Sequence, residues 1–125
     1  MKYLTLEEVL YLHQQLIVNF GGTGGIHDFG LLHSAIERPK ASFGGKDLYP
    51  DVYEKVAALV YSLINNHPFV EGNKRTGVAA MLITLNQNDV KIKLENQELV
   101  KFALDIEAKK MDIKGIAGWI KSRIK

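Results

Sequence analysis

Apolar residues recur at three- and four-residue steps along most of this chain, a spacing that predicts helices rather than strands. Leu6, Val9, Leu10, His13, Leu16, Ile17 and Phe20 form the first such stripe. Thr5 and Glu8 stand where a capping box would open it, and the run "GGTGG" at 21–25 where it should cap and turn. His13, on that apolar stripe, reads as a core or capping histidine rather than a ligand. Asp28 is placed to cap a second, short helix carrying Leu31, Leu32, Ala35 and Ile36, and Pro39 is expected to push Arg38 out of helical geometry and end it. Val52, Val56, Leu59, Val60, Leu63 and Ile64 mark a third helix, opened by Asp51 and Glu54 at capping-box spacing and running to about Asn66. A fourth begins near Asn73, carries Val78, Met81, Leu82 and Leu85, and ends around 86–89. Residues 90–94, "VKIKL", alternate and read as a short extended piece. Asn96 is then the expected cap of a fifth helix with Leu99, Phe102, Ala103 and Ile106, and Asp112 of a sixth with Ile113, Ile116, Ile120 and Ile124.

Six helices on short connections leave no room for a substantial sheet. The expected fold is all-α, a single-domain six-helix bundle spanning residues 1–125, without internal repeats or linkers. One connection is long: "PKASFGGKDLYPD", residues 39–51, has two prolines and two adjacent glycines. A connection of that length in a compact domain is functional or disordered. Its aromatic residues, Phe43 and Tyr49, favour a packed or partner-binding flap before the central helices.

Composition narrows the function classes. A chain of 125 residues, 46% hydrophobic and 24% charged, can close a real core. Its formal charge of +2, with no interleaving of aromatic and basic residues, gives no footprint for direct nucleic-acid binding. The basic residues from Lys109 onward read as a solvated helix face. With no cysteine, thiolate chemistry and disulfides are excluded. The apolar runs are too short to span a bilayer, and Glu7 and Glu8 interrupt the start where a signal peptide would need its apolar core. A cytoplasmic protein without a membrane partner is the expectation.

The chemistry concentrates in "HPFVEGNKRTG", residues 67–77, the turn between the third and fourth helices. A helix N-terminus offers unpaired N–H groups and the positive end of a dipole, and glycine lets a ligand approach the backbone. Gly72 and Asn73 therefore read as an anion nest, with Lys74 and Arg75 adding full positive charge for phosphate. An acid beside such a nest suits a cation between it and the phosphate, so Glu71 is a candidate ligand for Mg²⁺. His67 is the side chain able to take a proton from a hydroxyl near neutral pH. Each residue has a plainer role open to it: His67 as a helix-end cap, Glu71 as the ion-pair partner of Lys74 and Arg75.

At these residues the sequence resembles the Fic/Doc family, whose signature His-x-Phe-x-Asp/Glu-x-Asn-x-Arg is matched by His67, Phe69, Glu71, Asn73 and Arg75. The segments "GLLHSAIERP", "FGGKDLYPD" and "KVAALVYSLINNHPF" extend the likeness over roughly residues 5–88. Within the family, "GNKRT" is similar to the Doc (death-on-curing) type: Lys74 replaces the glycine of a typical Fic motif, and Val78 stands where that motif has a second arginine.

The resemblance implies roles for these positions. His67 would deprotonate a target hydroxyl, Glu71 would hold Mg²⁺, and Gly72, Asn73, Lys74 and Arg75 would hold the phosphates of ATP. The flap at Phe43, Gly44, Gly45, Lys46, Asp47, Leu48 and Tyr49 would align an extended target segment by strand-like pairing. The Doc type implies a toxin that transfers the γ-phosphoryl of ATP to a Thr or Ser hydroxyl, with elongation factor Tu as the target class and arrest of translation as the result. The self-inhibitory Ser/Thr-x-x-x-Glu-Gly/Asn segment of many Fic proteins is absent from the sequence, so inhibition is expected from a separate antitoxin chain. Fic-type AMP transfer is the alternative activity, and a non-catalytic nucleotide- or peptide-binding module the alternative of a different class.

Overall fold

The protein is described by a computed structural model that covers residues 1–124. Its order is α1 (Leu6–Phe20), α2 (Phe29–Glu37), a 3-10 turn (Arg38–Lys40), β1 (Ser42–Phe43), β2 (Lys46–Asp47), α3 (Val52–Asn65), α4 (Asn73–Gln87), α5 (Asn96–Glu107) and α6 (Ile113–Lys121). The all-α bundle expected from periodicity is present, with one small hairpin added.

Most helices start where short polar side chains relieve their first N–H groups. Thr5 accepts from the Glu8 N–H at 3.1 Å while Glu8 accepts from the Thr5 N–H at 2.9 Å, closing the expected box. Asp28, Asp51 and Asp112 accept from Leu31, Glu54 and Gly115 N–H groups in the same manner. Asn96 does not cap α5. The extended segment before it continues through Glu95, which takes the N-cap position without a side-chain bond and leaves Asn96 as the first helical residue.

Three other expectations are corrected. Arg38 is not expelled from helical geometry by Pro39: it keeps φ −53° and ψ −41°, because the chain tightens into a 3-10 turn whose first positions need no proline N–H. Residues 39–51 are not an irregular loop, since Ser42 pairs with Asp47 and Phe43 with Lys46 in an antiparallel hairpin. Gly44 and Gly45 turn it with φ of +59° and +78°, the left-handed pair a two-residue hairpin turn requires. Ile124 lies beyond α6, which ends at Lys121. There the Lys93 N–H donates to the Arg123 carbonyl at 2.9 Å and Ile92 bridges to Ile124, so the extended piece at 90–94 captures the chain after the helix.

The core lies on both sides of α3 and α4. Val56, Val60, Ile64, Met81, Leu85, Phe102, Ile106, Ile116 and Ile120 join α3, α4, α5 and α6. Val9, Leu32, Ile36, Leu63, Phe69 and Ala80 join α1 and α2 to the opposite side. Gly77 sets the spacing of the central pair: a Cβ there would stand 2.9 Å from Ile64 Cγ1, so α4 approaches α3 through the missing side chain. No helix among the described residues is long and apolar enough to cross a membrane.

Candidate functional site

The segment that joins α3 to α4 is held on three sides. Phe69 is buried in the α1–α2 side of the core. The Asn73 side chain grips the Phe69 backbone twice, accepting from its N–H and donating to its carbonyl, both at 2.9 Å. Along the outer edge, the His27 and Asp28 N–H groups donate to the Pro68 carbonyl at 2.7 and 3.0 Å, and the Val70 N–H to the Gly25 carbonyl at 3.1 Å. The glycine run after α1 is therefore more than a cap and flexible turn. It is the strand-like wall against which the segment is built.

His67 follows the last residues of α3 with a φ of +47°, and its side chain is exposed. That position after a helix usually carries glycine, because a Cβ is crowded in left-handed geometry. An exposed imidazole held in unfavourable backbone geometry is the kind of local cost that accumulates at functional positions. Pro68 directly after it shortens the list of conformations open to the turn.

Glu71 is exposed, and its Oε1 accepts from the Thr23 N–H at 3.1 Å. Its carboxylate is thus not the ion-pair partner of Lys74 or Arg75. Lys74 pairs instead with Glu107 of α5 at 2.9 Å, away from the turn. Arg75 is exposed, donates to the Gly21 carbonyl at 3.3 Å and lies 5.2 Å from the Phe20 ring centroid. Gly72 takes φ +83° and ψ 17° as the N-cap of α4, with no side-chain cap. The N–H groups of Asn73, Lys74 and Arg75 precede the first intrahelical bond, from the Thr76 N–H to the Gly72 carbonyl. No acid stands in that first turn, unlike those of α1, α3 and α5. The positive end of α4 carries two cations and no counter-anion of its own.

Among the described residues no group of three or more His, Asp or Glu side chains could hold a metal by itself. One exposed carboxylate beside a phosphate nest nonetheless fits Mg²⁺, which takes one or two carboxylates and completes its shell with phosphate oxygens and water.

The flap residues divide into a tip and an anchor. Phe43 at the tip is 84% exposed, and Gly44, Gly45, Lys46 and Leu48 are also open to solvent. Tyr49 is buried, and its hydroxyl accepts from Arg38 Nε at 3.0 Å while Arg38 Nη1 donates to Ser62 Oγ at 3.2 Å. Lys55, in the first turn of α3 and 7% exposed, donates to the Tyr49 carbonyl and to Asp47 Oδ2, the latter at 3.0 Å. The hairpin is therefore fixed at its base by Arg38 and Lys55, neither of which carries a sequence signal that separates it from a surface cation.

His13 is the other residue whose part is visible only in three dimensions. It is 4% exposed, its ring stacks on Phe69 with centroids 3.7 Å apart and planes 6° apart, and Nε2 lies 2.8 Å from the Glu71 carbonyl oxygen. A buried histidine on an apolar stripe needs a polar partner, and that requirement was the available signal.

A sequence profile described as the Fic/DOC family matches residues 3–85, which include α1 to α4 and the whole turn. The chain is 43% identical over 91 residues to a protein named Toxin Doc from Mycolicibacterium smegmatis (strain ATCC 700084 / mc(2)155), covering 73% of this chain and 68% of that one. It is 26% identical over 117 residues to a protein named Protein kinase doc from Escherichia phage P1, covering 94% of this chain and 91% of the relative.

Proposed function

The chain belongs to the Fic/DOC family, and from that premise we propose that it is the toxin of a toxin–antitoxin pair, acting in the cytoplasm as a kinase of protein hydroxyls. Its target is a Thr or Ser, with elongation factor Tu the first candidate and arrested translation the consequence. The observation that carries this reading is the α3–α4 turn. An exposed His67 and an exposed Glu71 precede an uncapped helix N-terminus with Arg75 in its first turn. The names of the two relatives, a toxin and a protein kinase, agree with it.

The roles follow from the chemistry of each group. The His67 imidazole accepts the proton of the target hydroxyl as that oxygen bonds to the γ-phosphorus of ATP; the bond from the γ-phosphorus to the β–γ bridging oxygen breaks and ADP leaves. The N–H groups of Asn73, Lys74 and Arg75 receive phosphate oxygens, and the Arg75 guanidinium can exchange the Gly21 carbonyl for them. Glu71 would hold Mg²⁺, which when bound neutralises phosphate charge. Positioning and electrostatic stabilisation are most of what phosphoryl transfer requires of a protein. Lys74 reaches phosphate only by leaving Glu107, a half-exposed pair whose loss costs less than about 1 kcal/mol.

Val78 favours phosphoryl over AMP transfer. It is half-buried and lines a groove between α4 and α5 with Lys74, Arg75, Leu82, Leu99 and Ala103, so the cations of this surface are Lys74 and Arg75, and position 78 itself offers none where Fic-type motifs carry their second arginine. The exposed tip of the β1–β2 hairpin would receive an extended target segment by edge pairing.

Expression in a bacterial host tests the toxin reading. The intact chain is expected to stop growth, and His67→Ala is expected to restore it at equal soluble yield. Co-expression of the antitoxin from the neighbouring reading frame should also restore growth. A folded His67→Ala variant that still arrests growth contradicts the catalytic role.

A further inference from the structure

We propose that His13, in the middle of α1, is a positioning residue for the α3–α4 turn: its Nε2–H holds the Glu71–Gly72 peptide and thereby aims the Glu71 carboxylate. The inference rests on the functional reading above for the purpose of that carboxylate, but its geometry stands independently. A carbonyl oxygen only accepts, so the 2.8 Å contact to the Glu71 carbonyl makes Nε2 the protonated nitrogen of this ring. The stack on Phe69 fixes the plane of the imidazole. A side chain at Gly72 would meet His13 Cδ2 and Nε2 at 3.6 Å, so the ring also lies against the N-cap of α4.

One imidazole thus contacts two motif positions, Phe69 and Glu71, and borders the space a side chain at Gly72 would fill. Glu71 is held at both of its ends from the same side of the molecule, its carbonyl by His13 and its carboxylate by the Thr23 N–H at 3.1 Å. The peptide in question precedes a glycine at φ +83°, and glycine visits several wells at little cost. Without the donor, the carbonyl of this peptide loses the hydrogen bond that holds it, and the glycine after it lets the peptide rotate. Rotation would redirect the carboxylate and the N–H groups that open α4. Packing alone does not call for this arrangement, since phenylalanine or leucine would fill the same space on the apolar stripe of α1.

The test compares His13→Phe, which keeps a ring to stack on Phe69 but has no donor, with His13→Gln, whose amide places a donor near the position of Nε2. Two quantities are read in each: the Gly72 amide resonance, and Mg²⁺ affinity from magnesium titrated in the presence of a non-hydrolysable ATP analogue. His13→Phe is expected to shift the Gly72 amide and weaken Mg²⁺ binding about 10-fold or more, the usual loss when an outer hydrogen bond to a ligating residue is removed. His13→Gln is expected to recover most of both. Folded His13→Phe protein with an unmoved Gly72 amide overturns the proposal, and so does equal loss in both variants, which would make the stack rather than the donor responsible. Should His13→Phe not fold, ring ¹⁵N shifts of the intact protein decide: protonated Nε2 coupled to the Glu71 carbonyl supports the proposal, unprotonated Nε2 ends it. If intact protein fails to bind the magnesium–nucleotide pair, the functional reading fails. The Gly72 amide response still decides the positioning role.

Discussion

His67 stands at φ +47° in a position that glycine would fill with less strain. Replacing it by glycine is expected to raise stability by up to about 1 kcal/mol, roughly 3–6 °C in Tm, while transfer falls about 10²- to 10⁴-fold as for loss of a general base. His67→Ala should match that loss of transfer with little change in Tm, and paired melting and label-transfer assays check both. Asn73 has a structural task beside the place in the anion nest expected of it. Its side chain is occupied by the Phe69 backbone, which leaves its own N–H for the nest. Asn73→Ala strands two backbone groups at the turn and is expected to cost about 1–3 kcal/mol, measured by denaturant unfolding. The motif residues were legible in the sequence because their chemistry is local in the chain. His13 was legible only as a histidine needing a partner, since the partner is 58 residues away.

At the scale of elements, α3 was predictable from its cap and stripe and α4 from its apolar spacing alone, but the closeness of their approach was not. It depends on Gly77 meeting Ile64, a contact with no signature in periodicity. Gly77→Ala should force the two helices apart at a cost of about 1–3 kcal/mol and loosen the turn they hold between them, visible as a lower Tm and faster amide exchange at 68–73. The hairpin was hidden because a thirteen-residue connection with two prolines carries turn signals without alternation. The glycine pair and the buried Lys55 make it a structure. Lys55→Met leaves the Asp47 carboxylate and the Tyr49 carbonyl unmatched. Amide exchange at 42–47 should quicken in that variant, and target modification should fall while nucleotide binding stays near that of the intact protein. Unchanged exchange at 42–47 would show that Arg38 and Tyr49 suffice to hold the hairpin.

Across the whole molecule, two apolar clusters flank a central helix pair, and the only backbone joining that pair is the turn with His67 at one end and Arg75 at the other. Binary pattern sufficed for the six-helix architecture, because apolar residues keep three- and four-residue steps in every helix, outside the flap, the glycine run and the alternating piece at 90–94. The wall made by the glycine run after α1 was not readable, since its bonds to Pro68, Val70 and Glu71 come from backbone groups that any sequence possesses. On the proposed function, this assembly moves the γ-phosphoryl of ATP to a protein hydroxyl through His67. The most direct measurement incubates the protein with Mg²⁺, elongation factor Tu and ATP labelled at either the α- or the γ-phosphate, with His67→Ala as control. Label on the target from γ alone, absent with His67→Ala, is the predicted result. Label from α, or γ label that survives in His67→Ala, contradicts it.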